Sequence, residues 1–433
     1  MSKLVKLLYG KTGMTVNVPD DTAILEGQDP PALADAHHAV MDALASPIGS
    51  PSLEQMLARR KPATVAVTVS DITRPVPNKQ FVPEILEVLN RCGVADGQIV
   101  IIIATGLHRP STPQEREVLL GREITSRVEV IDHDAQDAAS LVQVSDDPPI
   151  SICRRFVEAD FRIVTGFIEP HFMAGFSGGR KGVCPGLVDL GTLQRFHGYK
   201  TLSSPQAESG VLNGNPCHDI AAAIARKVGV DFLFNVALNR GRQIAGIYCG
   251  DLEKAHTEGC RQVAQWATAE VGDHFDLVIT NGGGYPLDQT FYQSVKGMVA
   301  ALPALAEHST LLVVSQCAEK MGSPPYTELM KAYAGDWRRF LSDIAKTDQV
   351  TLDQWQFQMQ ARVLERIGQH RLWLVSDGLP LEMQHWAAVN PIICEGDCAN
   401  RAQRVIDEWV AGNPGERLAV IPDGPYTMLR KTN

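Results

Sequence analysis

Three short apolar runs rich in β-branched residues, Thr64 to Val69, Ile99 to Ala104 and Ile163 to Thr165, each give way to a polar or glycine-bearing stretch. Continuous apolar runs of this length predict buried strands whose C-terminal ends open into loops. Between the first two, Phe81, Val82, Ile85, Leu86 and Leu89 recur at helical spacing and Gly93 sits where a C-terminal cap falls, which predicts a β-α-β unit. The pattern returns later. Phe275 to Thr280, Thr310 to Val314 and Leu372 to Val375 predict strands, with helical periodicity around 291–305 and 352–367 between them. Ala255 to Val271 and Ala399 to Val410 read as linking helices, and Leu418 to Ile421 as a strand that rejoins the first domain. The alternation predicts an α/β fold with two α/β domains. The expected boundaries are 1–254 with 418–433 for an N-terminal domain carrying the candidate site, 255–273 and 399–411 for linker helices, and 274–398 for a C-terminal α/β domain. The active site is expected in the interdomain cleft, where small-molecule sites often lie.

Length agrees with this division, because 433 residues exceed the size at which single cores usually stop growing. Charge narrows the partner. There are 40 Lys and Arg against 50 Asp and Glu, a formal charge of -10, and no dense basic run with interleaved aromatics. That disfavours nucleic acid and an acidic membrane surface and leaves a small molecule. No apolar segment is long enough to span a bilayer, and the N-terminal apolar run is too short for a signal peptide, so a cytoplasmic protein is expected. Nine scattered cysteines fit reduced thiols better than a disulfide framework. The closest pair, Cys394 and Cys398, is not a C-x-x-C.

The densest chemistry lies in Glu169-Pro170-His171-Phe172-Met173-Ala174-Gly175-Phe176-Ser177-Gly178-Gly179-Arg180-Lys181-Gly182, followed by Arg195-Phe196-His197-Gly198. Imidazoles exchange protons or hold metals near neutral pH, and an amine among glycines suits a closely approaching ligand. Asp71-Ile72-Thr73-Arg74-Pro75 follows a predicted strand directly, and its guanidinium suits a carboxylate or phosphate. Thr105-Gly106-Leu107-His108 puts a histidine at the next strand end. The glycine loop fails as a nucleoside triphosphate loop, since Arg180 precedes Lys181 and Gly182 replaces the hydroxyl residue. Gly282-Gly283-Gly284-Tyr285-Pro286 lacks the last glycine of a dinucleotide fingerprint, so a nucleotide would have to be bound another way. In Phe291-Tyr292-Gln293-Ser294-Val295-Lys296-Gly297 a glutamine and a lysine fall one helical turn apart, facing one ligand carboxylate, and Trp355 is a candidate pocket wall. His37 and His38 belong to a surface helix, and His133, His218, His256, His274, His308, His370 and His385 have no accompanying constellation.

Taken in order, D-x-T-R-P, T-G-x-H, E-P-H-x-x-A-G-x-S-G-G-x-K, F-H-G and Y-Q-x-x-K-G resemble the lactate racemase family of nickel-pincer-nucleotide racemases and epimerases. The resemblance implies an isomerase that inverts a small-molecule 2-hydroxy acid through a 2-keto acid. It implies a nickel-pincer nucleotide, a pyridinium bisthiocarboxylate mononucleotide, tethered at Lys181 and built by separate cofactor-biosynthesis enzymes, with His197 as the protein ligand to nickel. By the same resemblance Asp71, Ile72, Thr73 and Arg74 contact the cofactor, His108 and His171 are the catalytic bases, and Gln293 and Lys296 contact substrate. Arg74, Tyr292 and Trp355 are further candidate substrate contacts. The chemistry is coherent. Taking C2-H as a proton would create a second charge beside a carboxylate, whereas hydride loss coupled to deprotonation of the hydroxyl does not, and inversion calls for a base on each face. Cys184 puts a thiol near the expected cofactor. Two other readings stand beside this one: a zinc-dependent hydrolase with His108, His171 and His197 as ligands, and a non-catalytic carrier of the pincer cofactor.

Overall fold

The computed structural model describes residues 1–393 and 395–432. Cys394, one half of the closest cysteine pair, lies outside the described residues. The chain divides into two compact units, one of Asp29–Phe196 with Gln206–Trp266 and the other of Met1–Gln28, His197–Pro205 and Ala267–Asn433.

The first unit is built on a six-stranded sheet whose order is Ile244–Gly250, Phe232–Leu238, Phe161–Phe167, Val65–Ser70, Ile99–Ala104, Glu129–Asp132. Every pairing is parallel except that of the edge strand Ile244–Gly250. The central strands are predominantly apolar because helices cover both faces of such sheets; Val67, Ile101, Ile103 and Ile163 are all 0% exposed. The helix Val82–Arg91 turns Ile85, Leu86 and Leu89 into this core. Gly93 closes it in the left-handed region at φ 90°, its amide donating to Asn90 O at 2.9 Å. The expected strand of three residues at Ile163 extends over Phe161–Phe167.

The second unit holds a parallel sheet ordered Asn390–Pro391, Leu372–Val375, Leu305–Val314, Phe275–Asn281, Leu418–Val420, Ala23–Ile24. Helices Phe291–Ala300 and Gln354–Ile367 fall in the expected periodic stretches. Four expectations need correction. Leu418–Val420 does not return to the first domain but pairs with Leu277–Ile279 on one side and Ala23–Ile24 on the other. Residues 1–28 likewise belong to this unit, because the antiparallel hairpin Ser2–Leu7 and Met14–Pro19 buries Val5, Leu7, Val16 and Val18 in one cluster with Ala402, Val405 and Ile406 of helix Cys398–Gly412. That helix, expected as a linker, packs on its own unit's core. The helix Leu252–Ala267, the other expected linker, runs almost wholly within the first unit. No helix among the described residues is long and apolar enough to cross a membrane.

Candidate functional site

At the mouth of the first unit's sheet, the loops after Val65–Ser70 and Ile99–Ala104 leave adjacent, parallel-paired strands, so Asp71 and His108 meet although 37 positions separate them. His108 Nδ1 lies 2.5 Å from Asp71 Oδ2, and Thr73 Oγ1 donates to Asp71 Oδ1 at 2.7 Å. Arg74 Nη1 in turn donates to Thr73 Oγ1 at 3.2 Å. Burial of Asp71 opposes its charge, but the hydrogen bond and charge of His108, with Arg74 and Thr73, outweigh it and hold the carboxyl below its ordinary value. An ionised Asp71 keeps the proton of His108 on Nδ1, and Nε2 of the neutral ring is then an acceptor. Asp71, expected as a cofactor contact, therefore has one carboxylate oxygen committed to the histidine. Ile72 is partly buried and packs against the apolar core.

The segment Glu169–Gly182 leaves strand Phe161–Phe167 as a short hairpin, Pro170–His171 against Gly175–Phe176, and ends in the 3-10 turn Gly179–Gly182. The amides of Met173 and Ala174 donate to His171 Nδ1 at 3.3 and 3.2 Å. Its glycines are demanded by the protein itself. A Cβ on Gly179, at φ 54°, would come within 2.5 Å of the His256 ring, and one on Gly175 within 2.1 Å of Val211 O. From below, Asn235 Oδ1 accepts from Gly179 N at 2.7 Å. Arg180, adjacent to Lys181, turns inward and is 2% exposed, while Lys181 is partly exposed. Cys184 is fully buried, and burial drives its thiol pKa well up, which removes the reactive thiolate that its position near Lys181 suggested.

In the second unit, His197 stacks on Trp355 with ring centroids 4.6 Å apart, and Trp355 Nε1 donates to Tyr292 OH at 2.7 Å. The helix Gln354–Ile367 organises this group. Its Gln356 amide donates to Tyr292 O and its Gln358 amide to Tyr199 O, the latter at 3.2 Å. Arg362 donates to Ser204 O at 2.9 Å and also to Leu202 O. These bonds hold the turn Tyr199–Leu202 that follows His197. Gln293 and Lys296 are partly buried on helix Phe291–Ala300. Gln293 Oε1 is buried with no hydrogen-bond partner among the described residues, an acceptor placed for a donor that the protein does not itself provide.

Sequence reasoning missed Arg180, His256, Asn235 and the glutamine ties. Gly-Gly-Arg-Lys reads as a solvated basic turn and carries no sign that Arg180 is buried. The glutamines left a usable signal: Gln354, Gln356, Gln358 and Gln360 alternate along a helix, so polar residues fall on two opposite sides of it, and at least one of those must be buried. His256 and His218 do have a setting after all. Burial and then the Arg180 cation hold His256 well below the ordinary imidazole value and bring His218 down to about 4. His133 is buried with Nε2 3.0 Å from Val188 O.

Among the described residues no three His, Cys, Asp or Glu side chains form a group able to hold a metal ion. A single imidazole such as His197 fits a metal whose other donors belong to an organic group, and an imidazole beside sulfur donors suits nickel.

Comparison with known proteins supplies the class. Residues 9–210 match the lactate racemase N-terminal domain and residues 272–427 the lactate racemase C-terminal domain, which makes the chain a two-domain α/β isomerase. It is 30% identical to the lactate racemase of Thermoanaerobacterium thermosaccharolyticum, with 99% of each chain covered. It is 35% identical to that of Lactiplantibacillus plantarum, over 86% of this chain and 88% of the relative. The lactate racemase apoprotein structure from T. thermosaccharolyticum superposes with a TM-score of 0.88 at 30% identity, covering 99% of this chain and 100% of that one. A Thermotoga maritima structure shares the fold at a TM-score of 0.68 and 16% identity, over 94% and 100% of the respective chains. The chain belongs to the lactate racemase family, a nickel-dependent family.

Proposed function

We propose that the protein racemises or 2-epimerises a small 2-hydroxy acid, lactate first among the candidates, using a nickel-pincer nucleotide tethered at Lys181 with His197 as the protein ligand to nickel. When bound, that group supplies an electrophilic carbon able to take a hydride from C2 and return it. The protein's own residues do the rest. His108 accepts the hydroxyl proton at Nε2 while Asp71 stabilises the resulting imidazolium, and His171 serves the opposite face of the substrate. Arg74 and Lys296 hold the carboxylate while the 2-keto acid exists, so that it turns without leaving. Gln293 contacts the substrate through its side-chain amide, and Tyr292 and Trp355 wall the substituent on C2. Ile72 and Thr73 contact the nucleotide beside Arg74. Cofactor-building enzymes are required partners, and the cytoplasm is the expected location.

The observation that carries this reading is the carboxylate-backed histidine: His108 and Asp71 at 2.5 Å are a base with its tautomer set. The unpartnered Gln293 Oε1 supports a hydroxyl-bearing ligand. The test loads the protein with the nickel pincer and incubates single-enantiomer 2-hydroxy acids in deuterated water. Inversion with the C2 hydrogen retained is expected. Deuterium at C2 would replace hydride transfer by proton abstraction, and a loaded protein that inverts none of the acids would point to the carrier reading. Lys181→Ala is expected to abolish the covalent cofactor adduct in an intact-mass spectrum; an adduct that persists would move the tether elsewhere.

A further inference from the structure

Arg180 is a buried cation with no carboxylate. It is 2% exposed, and among the described residues no acidic side chain pairs with it. Its Nη2 donates to Ala174 O at 2.6 Å and its Nη1 to Gly178 O at 3.4 Å. Nη1 also lies 3.0 Å from His256 Nε2, which is itself 2.9 Å from Ser177 O. One guanidinium nitrogen, Nε, is buried with no hydrogen-bond partner among the described residues. Burying an unpaired charge in this way is costly, and burial brings the guanidinium down to about 10, which still leaves it charged at neutral pH. All three partners of the cation belong to, or brace, the segment between His171 and Lys181. Ala174 is the link, since its carbonyl receives Arg180 while its amide donates to His171 Nδ1.

We propose that Arg180 is a positioning residue which, through the main chain of Ala174, fixes the ring of His171 with Nδ1 as an acceptor. Two amide donors on Nδ1 exclude a proton there, so neutral His171 carries its proton on Nε2. It meets a substrate oxygen as a donor, whereas neutral His108, with Nδ1–H directed at Asp71, meets one as an acceptor. The two histidines are thus not interchangeable. A lysine cannot replace Arg180, because a single ammonium lacks the fork that reaches Ala174 O and Gly178 O together. The proposal rests on reading His171 as a group that meets the substrate oxygen, donating from Nε2 in the direction in which His108 is the base, and the primary readout of its test does not depend on turnover.

The test is a long-range ¹H–¹⁵N correlation spectrum of ¹⁵N-histidine-labelled, cofactor-free protein, at a pH where the rings are neutral, with His108→Gln and His171→Gln assigning the signals. In the wild type, His171 is expected as the Nε2–H tautomer and His108 as the Nδ1–H tautomer. In Arg180→Met and Arg180→Lys, folded by circular dichroism, the His171 signal is expected to lose its single tautomer while that of His108 is unchanged. The loaded variants should lose about 10²-fold in kcat, the scale of a small misplacement near the reacting atoms. Nδ1–H on wild-type His171 overturns the proposal without any variant. So does an unchanged His171 tautomer in whichever of the two Arg180 variants folds. If that tautomer is insensitive to Arg180 while His171→Ala abolishes racemisation, only the positioning role falls. If the tautomers respond as expected but no 2-hydroxy acid is inverted, the functional reading falls and the positioning role stands.

Discussion

Asp71 is worth more to the site than its position just past a strand suggests. It is 7% exposed, bonded to His108 and Thr73, and held below its ordinary pKa of 3.8. A carboxylate enforces Nδ1–H on the histidine, whereas an amide can present its NH₂ and stabilise the wrong tautomer. Asp71→Asn is therefore expected to lower kcat by roughly 10²–10⁴-fold, the range of a misdirected base, measured at saturating substrate. The same residue sets a pH dependence of stability. Because its folded-state pKa is depressed, its contribution is fully present above 3.8 and is lost as pH falls through the folded value. Hydrogen bonds to a charged group contribute on the order of 1–3 kcal/mol, so urea melts of wild type and Asp71→Asn should differ by about that much near neutrality and converge in acid. A gap that widens in acid would contradict this assignment. His108 and Lys181 were legible as candidates from residue types in motifs, but the Asp71–His108 bond was not, because it depends on two loops leaving neighbouring strands.

Among the elements, helix Phe291–Ala300 owes its seat to one glycine. An added Cβ at Gly297 would come 2.0 Å from Asn281 O at the end of strand Phe275–Asn281, so only a residue without a side chain lets the helix lie so close to the strand end. The helix carries Tyr292, Gln293 and Lys296, and Gly297→Ala must displace them or the strand. A cost of about 1–3 kcal/mol is expected, as for an overpacked core, read from urea unfolding together with a rise in KM on the loaded enzyme. An unchanged midpoint would mean that the contact is relieved cheaply. Periodicity made the existence of this helix and of Gln354–Ile367 readable. It did not reveal that alternate glutamines of the second would tie down the backbone at Tyr199 and Tyr292, because side-chain to backbone bonds over 159 and 64 residues leave no local pattern.

At the scale of the molecule, each unit has its own sheet and its own apolar cluster, one around Val67, Ile101 and Phe81, the other around Leu277, Ile279 and Leu312. Separate cores favour separate melting. Differential scanning calorimetry is expected to give a calorimetric enthalpy larger than the van't Hoff value; a ratio of one would mean that the units unfold as a single cooperative block. The order of the chain through these units shows where sequence reading stops. Residue types, strand-length apolar runs and the five motifs determined the fold class, the family and the residues to examine, since burial on both faces of a parallel sheet and the chemistry of imidazole, amine and guanidinium are written in single positions. Only the tertiary structure decided that Ala23–Ile24 and Leu418–Val420 complete the second sheet, that Asp71 backs His108, and that Arg180 rather than its neighbour Lys181 turns inward. Those outcomes are set by partners far apart in the chain, competing for one strand edge, one proton or one buried position, and a competition of that kind is resolved only when the whole chain has packed.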